Sequence, residues 1–273
     1  MEKQIYPLII SNLKQLTMKV HEYLTRLGYS TIDKVDLMTL FALHKQHLYR
    51  IPFENLDIHN GRKIELDLSR IYQKIVQEGR GGFCFELNGL FQWLLHSAGY
   101  SCYFISCAVF IPSQEKYGAY GGHVAIIATL DDQKWLVDVG FGNSFPEPIA
   151  LNSGETVDHH NQYYRLDQDG QDHYVLYNSK DQANWTPMYR FQDVSVPFDY
   201  FGPFCEFHQT SPLSPFTQRR LCSQLVEGGR ITLVGNTVIK TIDGHREEYP
   251  IDANEFDHYL QELFGIFITL PIQ

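Results

Sequence analysis

The hydrophobic period of this chain changes once, near residue 100, and that change constrains its architecture more than any other feature. Before it, apolar residues recur at helical spacing. Val20, Tyr23, Leu24 and Leu27 make one stripe ending at Gly28, and Leu37, Leu40, Phe41 and Leu48 make a second. Leu68, Ile71, Tyr72 and Ile75 make a third, entered at Asp67 and ended by Gly79; Leu87, Leu90, Phe91, Leu94, Leu95 and Ala98 make a fourth that Gly99 stops. After Ser101 the runs become short and β-rich: Cys102 to Ile111, His123 to Leu130, Tyr163 to Leu166, Tyr174 to Tyr177 and a strand around Met188 to Phe191, with Asp169-Gly170 as a turn signal. Leu221 to Val226, Ile231 to Val234 and Thr237 to Ile242 read as a three-stranded meander. Asp252 and Glu255 then open a closing helix faced by Phe256, Tyr259, Leu260 and Leu263. The expected fold class is α+β: a helical bundle over 1–99, an antiparallel β-barrel-like domain over 100–200, and an antiparallel sheet with a closing helix over 201–273.

Composition removes several function classes. At 273 residues the chain has room for one to three modules and a large core. A formal charge of −10 without a basic stripe argues against a nucleic-acid surface, because phosphate binding relies on clustered Lys and Arg. Any anionic ligand must meet local cations, for which Lys134, Arg219, Arg220 and Arg230 are candidates. The Ile5 to Ile10 run is broken by Pro7 and too short to span a bilayer, so the expectation is no membrane partner and a cytoplasmic location. Five cysteines, at 84, 102, 107, 205 and 222, include no C-x-x-C pair, which speaks for free thiols rather than a disulfide framework or zinc site. His159-His160 lacks a third ligand at useful spacing, and no metal is assigned.

Cys84 stands where Arg80-Gly81-Gly82-Phe83 runs into the fourth helix. A helix start favours thiolate over thiol, and Arg80 is expected to add a cation beside the sulfur. The alternative is a packing cysteine. Downstream, His123 to Leu130 and Lys134 to Val137 flank Asp131-Asp132 and read as a hairpin. With an even loop, Asp138 falls opposite Ala125, and His123 becomes its diagonal neighbour on the same face. An odd loop puts the two on opposite faces. The even register supplies an imidazole oriented by a carboxylate, the second half of a Cys84-His123-Asp138 triad.

Pro52-Phe53-Glu54-Asn55, the Arg80 to Leu90 run, His123, Val137 to Gly142 and Ser211 to Thr217 occur in the order and near the spacing of one family, and over nearly its whole length the chain resembles the arylamine N-acetyltransferases. The resemblance implies a cysteine-protease-like triad in which Cys84 accepts the acetyl group, His123 is the base and Asp138 the orienter. Phe53 and Phe141 are implied as substrate-binding rings. The co-substrate would be acetyl-CoA, with no permanently bound cofactor; the acceptors would be arylamines, arylhydrazines or N-hydroxyarylamines, and the chain a monomer or homodimer. Gly121-Gly122 before His123 is more open than the family pattern, which bears on substrate preference. Triad logic alone also fits a thiol hydrolase, a transglutaminase-like enzyme or an amide synthase, and a non-catalytic small-molecule binder is the alternative from another class.

Overall fold

The computed structural model describes residues 18–143, 145–160, 162–170 and 172–268. The Ile5 to Ile10 run and Gln171, part of the Asp169-Gly170 loop, lie outside the described residues. Helices are α1 Val20–Leu27, α2 Leu37–Arg50, α3 Leu56–His59, α4 Leu68–Tyr72, α5 Cys84–Ser97, α6 Gly202–Thr210 and α7 Phe256–Phe264. Strands are β1 Phe53–Glu54, β2 Ser101–Ile111, β3 Lys116–Tyr117, β4 His123–Leu130, β5 Gln133–Val137, β6 Ile149–Ala150 and β7 Thr156–His159. They continue with β8 Gln162–Gln168, β9 His173–Ser179, β10 Thr186–Val196, β11 Leu221–Val226, β12 Gly229–Val234, β13 Thr237–Ile242 and β14 His245–Pro250.

The four helical stripes fold as expected, with one difference. The third, capped by the Asp67 side chain accepting from the Arg70 amide at 3.0 Å, loosens after Tyr72 into a π-helical turn over Gln73–Gln77. The α1 stripe stops where Gly28 turns left-handed at φ 84°.

The larger sheet is antiparallel and runs β6-β5-β4-β2-β10-β9-β8-β7, with β3 beside β2. β6 comes back against β8, which curls the sheet into a nearly closed barrel. Alternation along β4 divides the core between its two faces. Val124, Ile126 and Ala128 pack with the helices, whereas Ala125 and Ile127 point inward with Leu136, Tyr189 and Phe191. The second sheet, β1-β11-β12-β13-β14, is larger than the three-stranded meander expected: β14 extends one side, and β1, from the Pro52-Phe53-Glu54-Asn55 motif, pairs with β11 on the other. α7 closes this sheet over Leu56, Cys222, Leu233 and Val238. Among the described residues, no helix is long and apolar enough to cross a membrane.

A buried charge cluster fixes the helical layer to the second sheet. Arg80 donates to Glu54 at 2.8 Å and to Asp57 at 3.0 Å, while Lys74 reaches Asp57 and Glu86 at 2.9 Å each. Burial pushes the Glu86 carboxyl up to about 6 against the pull of Lys74, with Glu54 adding repulsion. Removing one cation leaves buried carboxylates uncompensated. Arg80→Ala is therefore expected to lower unfolding stability by about 3–5 kcal/mol in urea titrations, well beyond the effect of breaking the exposed Arg246–Glu248 pair.

Candidate active site

α5 begins at Cys84 because Phe83 is extended, at φ −97° and ψ −175°, and Glu86 accepts the Phe83 amide at 3.1 Å. Lys74 holds that carboxylate from behind at 2.9 Å. Cys84 is 3% exposed. Burial pushes its thiol well up, with repulsion from Cys205 and Asp138 in the same direction and the Phe85 amide acting against them. The expectation that Arg80 supports a thiolate is not met. Its guanidinium is committed to Glu54 and Asp57, so the sulfur needs a proton acceptor rather than a neighbouring cation.

The hairpin register is the even one. Asp131 and Asp132 are both left-handed, at φ 48° and 63°, as a two-residue type I′ turn requires, and Leu130 pairs with Gln133. Ile126 therefore pairs with Val137, which sets Asp138 one position on, beside Ala125 and diagonal to His123. His123 Nε2 lies 2.8 Å from Asp138 Oδ2. A carboxylate only accepts, so Nε2 carries the proton and Nδ1 is the nitrogen left to exchange one.

Asn88, one helical turn beyond Cys84, ties this pair to the cysteine helix. Its amide nitrogen donates to Asp138 Oδ1 at 2.8 Å and to the Val124 carbonyl at 2.7 Å, and its oxygen accepts the Val139 amide at 2.9 Å. Position 140 must be glycine, because a Cβ there would fall 2.9 Å from the Cys84 Cα. Tyr189 donates its hydroxyl to Asp138 Oδ2 at 2.9 Å from inside the barrel, and the Gly140 amide reaches Oδ1 at 2.9 Å. Burial alone would push Asp138 up; the His123 charge and hydrogen bond, with Asn88 and Gly140, bring it below its ordinary value.

The aromatic surroundings differ in part from the sequence expectation. Phe141 stands edge-on to His123, centroids 5.0 Å apart, and packs on Tyr189. Phe53 is buried beside Phe216 and faces Gly142. The neighbouring Asn55 ties its loop down, donating to Phe216 and Arg219 carbonyls at 2.8 and 2.9 Å. Gly121 does not leave open space: Phe204 of α6 fills it, so that a Cβ there would lie 2.2 Å from its ring, whereas a Cβ on Gly122 would meet only the Ala119 carbonyl at 3.3 Å. His208, also from α6, bonds the Gly122 carbonyl at 3.1 Å. Asn88 lay within a recognised motif, and its four-residue offset from Cys84 was the available signal. Tyr189, Phe204 and His208 carried none beyond strand or helix periodicity.

A cavity of about 570 Å³ opens between β7–β8 and the β12–β13 hairpin, lined by His159, His160, Lys180, Arg230 and Arg246 and, among the described residues, by no carboxylate. Arg230 donates to Ser223 Oγ at 3.3 Å, and its Nη2 is buried without a partner, as is His159 Nε2. Asp243, 3.7 Å from His160, stands near its rim. Of the other candidate cations, Lys134 is paired with Asp193 at 2.6 Å and Arg220 lies over the Phe256 ring. Among the described residues, no group of three or more His, Cys, Asp or Glu could hold a metal ion.

A cysteine at the start of a helix that Asn88 ties to a histidine–carboxylate pair on a curled antiparallel sheet defines an α+β protein of the cysteine-protease-like class. The family model described as N-acetyltransferase matches residues 36–272. The pineal gland isozyme NAT-10 arylamine N-acetyltransferase of Gallus gallus is 31% identical over 257 residues, covering 88% of this chain and 88% of its own length. Arylamine N-acetyltransferase 1 of Homo sapiens is 30% identical over 273 residues, covering 91% and 94%. Among solved structures, the arylamine N-acetyltransferase of Salmonella typhimurium superposes with a TM-score of 0.84 at 28% identity, covering 90% of each chain. The Mycobacterium marinum enzyme in complex with CoA gives 0.83 at 28%, covering 91% of this chain and 93% of its own. The chain belongs to the arylamine N-acetyltransferase family.

Two consequences are measurable. Gly121→Ala places a Cβ in the Phe204 ring at a residue with φ 91°, and is expected to cost about 1–3 kcal/mol in thermal or urea unfolding. Adding Phe204→Ala relieves the steric part alone. Burial raises the Cys84 thiol above its ordinary value, so alkylation of the wild type at neutral pH is expected to require a proton acceptor, for which His123 is the candidate. His123→Ala should shift the iodoacetamide profile of Cys84 to markedly higher pH, read by peptide mass spectrometry.

Proposed function

We propose that this chain transfers an acetyl group from acetyl-CoA to arylamines, arylhydrazines or N-hydroxyarylamines through an acetyl thioester on Cys84. The carrying observation is the 2.8 Å His123–Asp138 pair, joined through Asn88 to the helix that presents Cys84. In the first half-reaction His123 Nδ1 takes the Cys84 proton and the sulfur attacks the thioester carbonyl. The carbon–sulfur bond to coenzyme A breaks, and the departing thiolate receives the proton from His123. In the second half the amine nitrogen attacks acetyl-Cys84, His123 accepts its proton, and the Cys84 thiolate leaves. Asp138 holds the Nε2–H tautomer and offsets the imidazolium charge. A backbone amide at the α5 start is the donor for the developing oxyanion.

In this reading the segment 1–99 carries the nucleophile, 100–200 the base and its orienter, and 201–273 the lid. Phe141 and Phe53 wall the acceptor side as flat apolar surfaces. The basic cavity beyond Asn143 is the place for the coenzyme phosphates, because its unpartnered Arg230 nitrogen has, among the described residues, no lining carboxylate to satisfy it.

Intact mass spectrometry of the protein mixed with acetyl-CoA and no acceptor is expected to find one added acetyl group, absent in Cys84→Ala. The same adduct in the variant moves the chemistry to another residue. The acetylated protein should discharge to aniline-like amines, which are unprotonated at neutral pH, far faster than to alkylamines with pKa near 10. Equal rates would contradict the reading.

A further inference from the structure

We propose that His44 is a positioning residue for Asp138, a single imidazole that latches both ends of the 138–146 segment to α2. The inference rests on the reading of Asp138 as the orienter of His123. His44 is fully buried, at 0% exposure. Each ring nitrogen faces a carbonyl, Nδ1 that of Pro146 at 3.0 Å and Nε2 that of Asp138 at 3.1 Å, but only a proton on Nδ1 also leaves Nε2 as the acceptor of the Asp138 amide, so the Nδ1–H form satisfies more of these groups. A neutral imidazole has one N–H, and Nε2 is left to accept the Asp138 amide at 3.2 Å. The same nitrogen lies 3.1 Å from the Asp138 carbonyl, which this tautomer does not bond. Burial, opposed by Pro146 and Asp138, lowers the imidazole to about 4, which keeps the neutral form at working pH.

Between the two latched residues stand Gly140, in contact with the Cys84 backbone, and Phe141, edge-on to His123. The ring itself is held in place, stacked on Phe145 at 5.6 Å and 13° and flanked by Phe91. The Asp138 side chain is thus fixed by one set of donors while its backbone is fixed from the other side by a helix about ninety residues earlier in the chain. Without Nε2 the bond that ties the Asp138 amide to α2 is lost, which frees the segment to move relative to that helix.

The test compares single-turnover acetylation of Cys84 by acetyl-CoA in His44→Phe, which keeps a ring but loses donor and acceptor, and in His44→Gln, whose amide supplies one of each. His44→Phe is expected to slow acetylation about ten- to a hundredfold with KM for acetyl-CoA little changed, as for a catalytic group displaced by about 1 Å. His44→Gln should recover most of that loss. Unchanged acetylation in His44→Phe, or a Gln variant as slow as the Phe variant, overturns the proposal. Nitrogen-15 NMR of wild-type His44 decides independently of variant folding: the Nδ1–H tautomer at neutral pH supports the latch, and Nε2–H overturns it. Asp138→Asn separates the two levels. If it acetylates at the wild-type rate, the orienter reading fails; if it is slow while His44→Phe is not, only the latch fails.

Discussion

The structure around Cys84 depends on one buried carboxylate. Removing Asp138 from water costs several kcal/mol, and that cost is offset only by donors delivered at hydrogen-bond distance. They come from separate elements: His123 from β4, Asn88 from α5, Tyr189 from β10 and the Gly140 amide from the segment after β5. Each donor is also bound to the place where its own backbone sits. Satisfying Asp138 therefore fixes α5 relative to the hairpin and to the far wall of the barrel at once. The tight fit of Gly140 against the Cys84 backbone accompanies the same convergence, since Asn88 bonds the Val139 amide next to it.

A second set of buried charges performs the equivalent task below the helix start. Glu54 reaches the cluster from β1, Asp57 from α3, Lys74 from the π-helical turn, and Arg80 and Glu86 from either side of Cys84. A cation shared among carboxylates is poorly placed to serve a thiolate, which explains why Arg80 turns to its acidic partners although it is close in sequence to the sulfur. Burial holds the Cys84 thiol above its ordinary value, and in the proposed reaction it becomes a nucleophile by passing its proton to His123.

Much of this was legible in the sequence where one residue type admits one geometry. The sequence left an even and an odd hairpin loop open, each with a definite consequence for the faces of His123 and Asp138; left-handed Asp131 and Asp132 give the even one. Gly28 and Asp67 marked helix limits for the same kind of reason. What was not legible depends on tertiary partners. α6 opens with Gly202-Pro203 and lacks a clean apolar stripe, and β14, His245 to Pro250, is mostly polar and exposed, so neither carries a strong periodic signal. The openness inferred at Gly121-Gly122 was wrong at Gly121 because a glycine pair records missing side chains without saying what fills the space; Phe204, over eighty residues later, does. Arg80 misled in the opposite sense, since proximity in sequence was read as proximity in space.

α6 also limits how charge is distributed at the site. His208 and His123 flank the same Gly122 peptide, and the carbonyl of that peptide accepts a hydrogen bond from His208 Nε2. The proton on Nε2 leaves Nδ1 facing the Ser214 hydroxyl oxygen at 3.3 Å, while that hydroxyl donates to the His208 carbonyl at 3.0 Å. Burial lowers His208 below its ordinary value, the Gly122 carbonyl opposes that, and positive charge on His123 adds to the lowering. The lowered His208 contributes an N–H dipole to the Gly122 carbonyl beside His123. The same helix therefore supplies the Phe204 wall and the electrostatic asymmetry between two neighbouring histidines, and both follow from packing α6 against Gly121 and Gly122 rather than from any residue inside the triad.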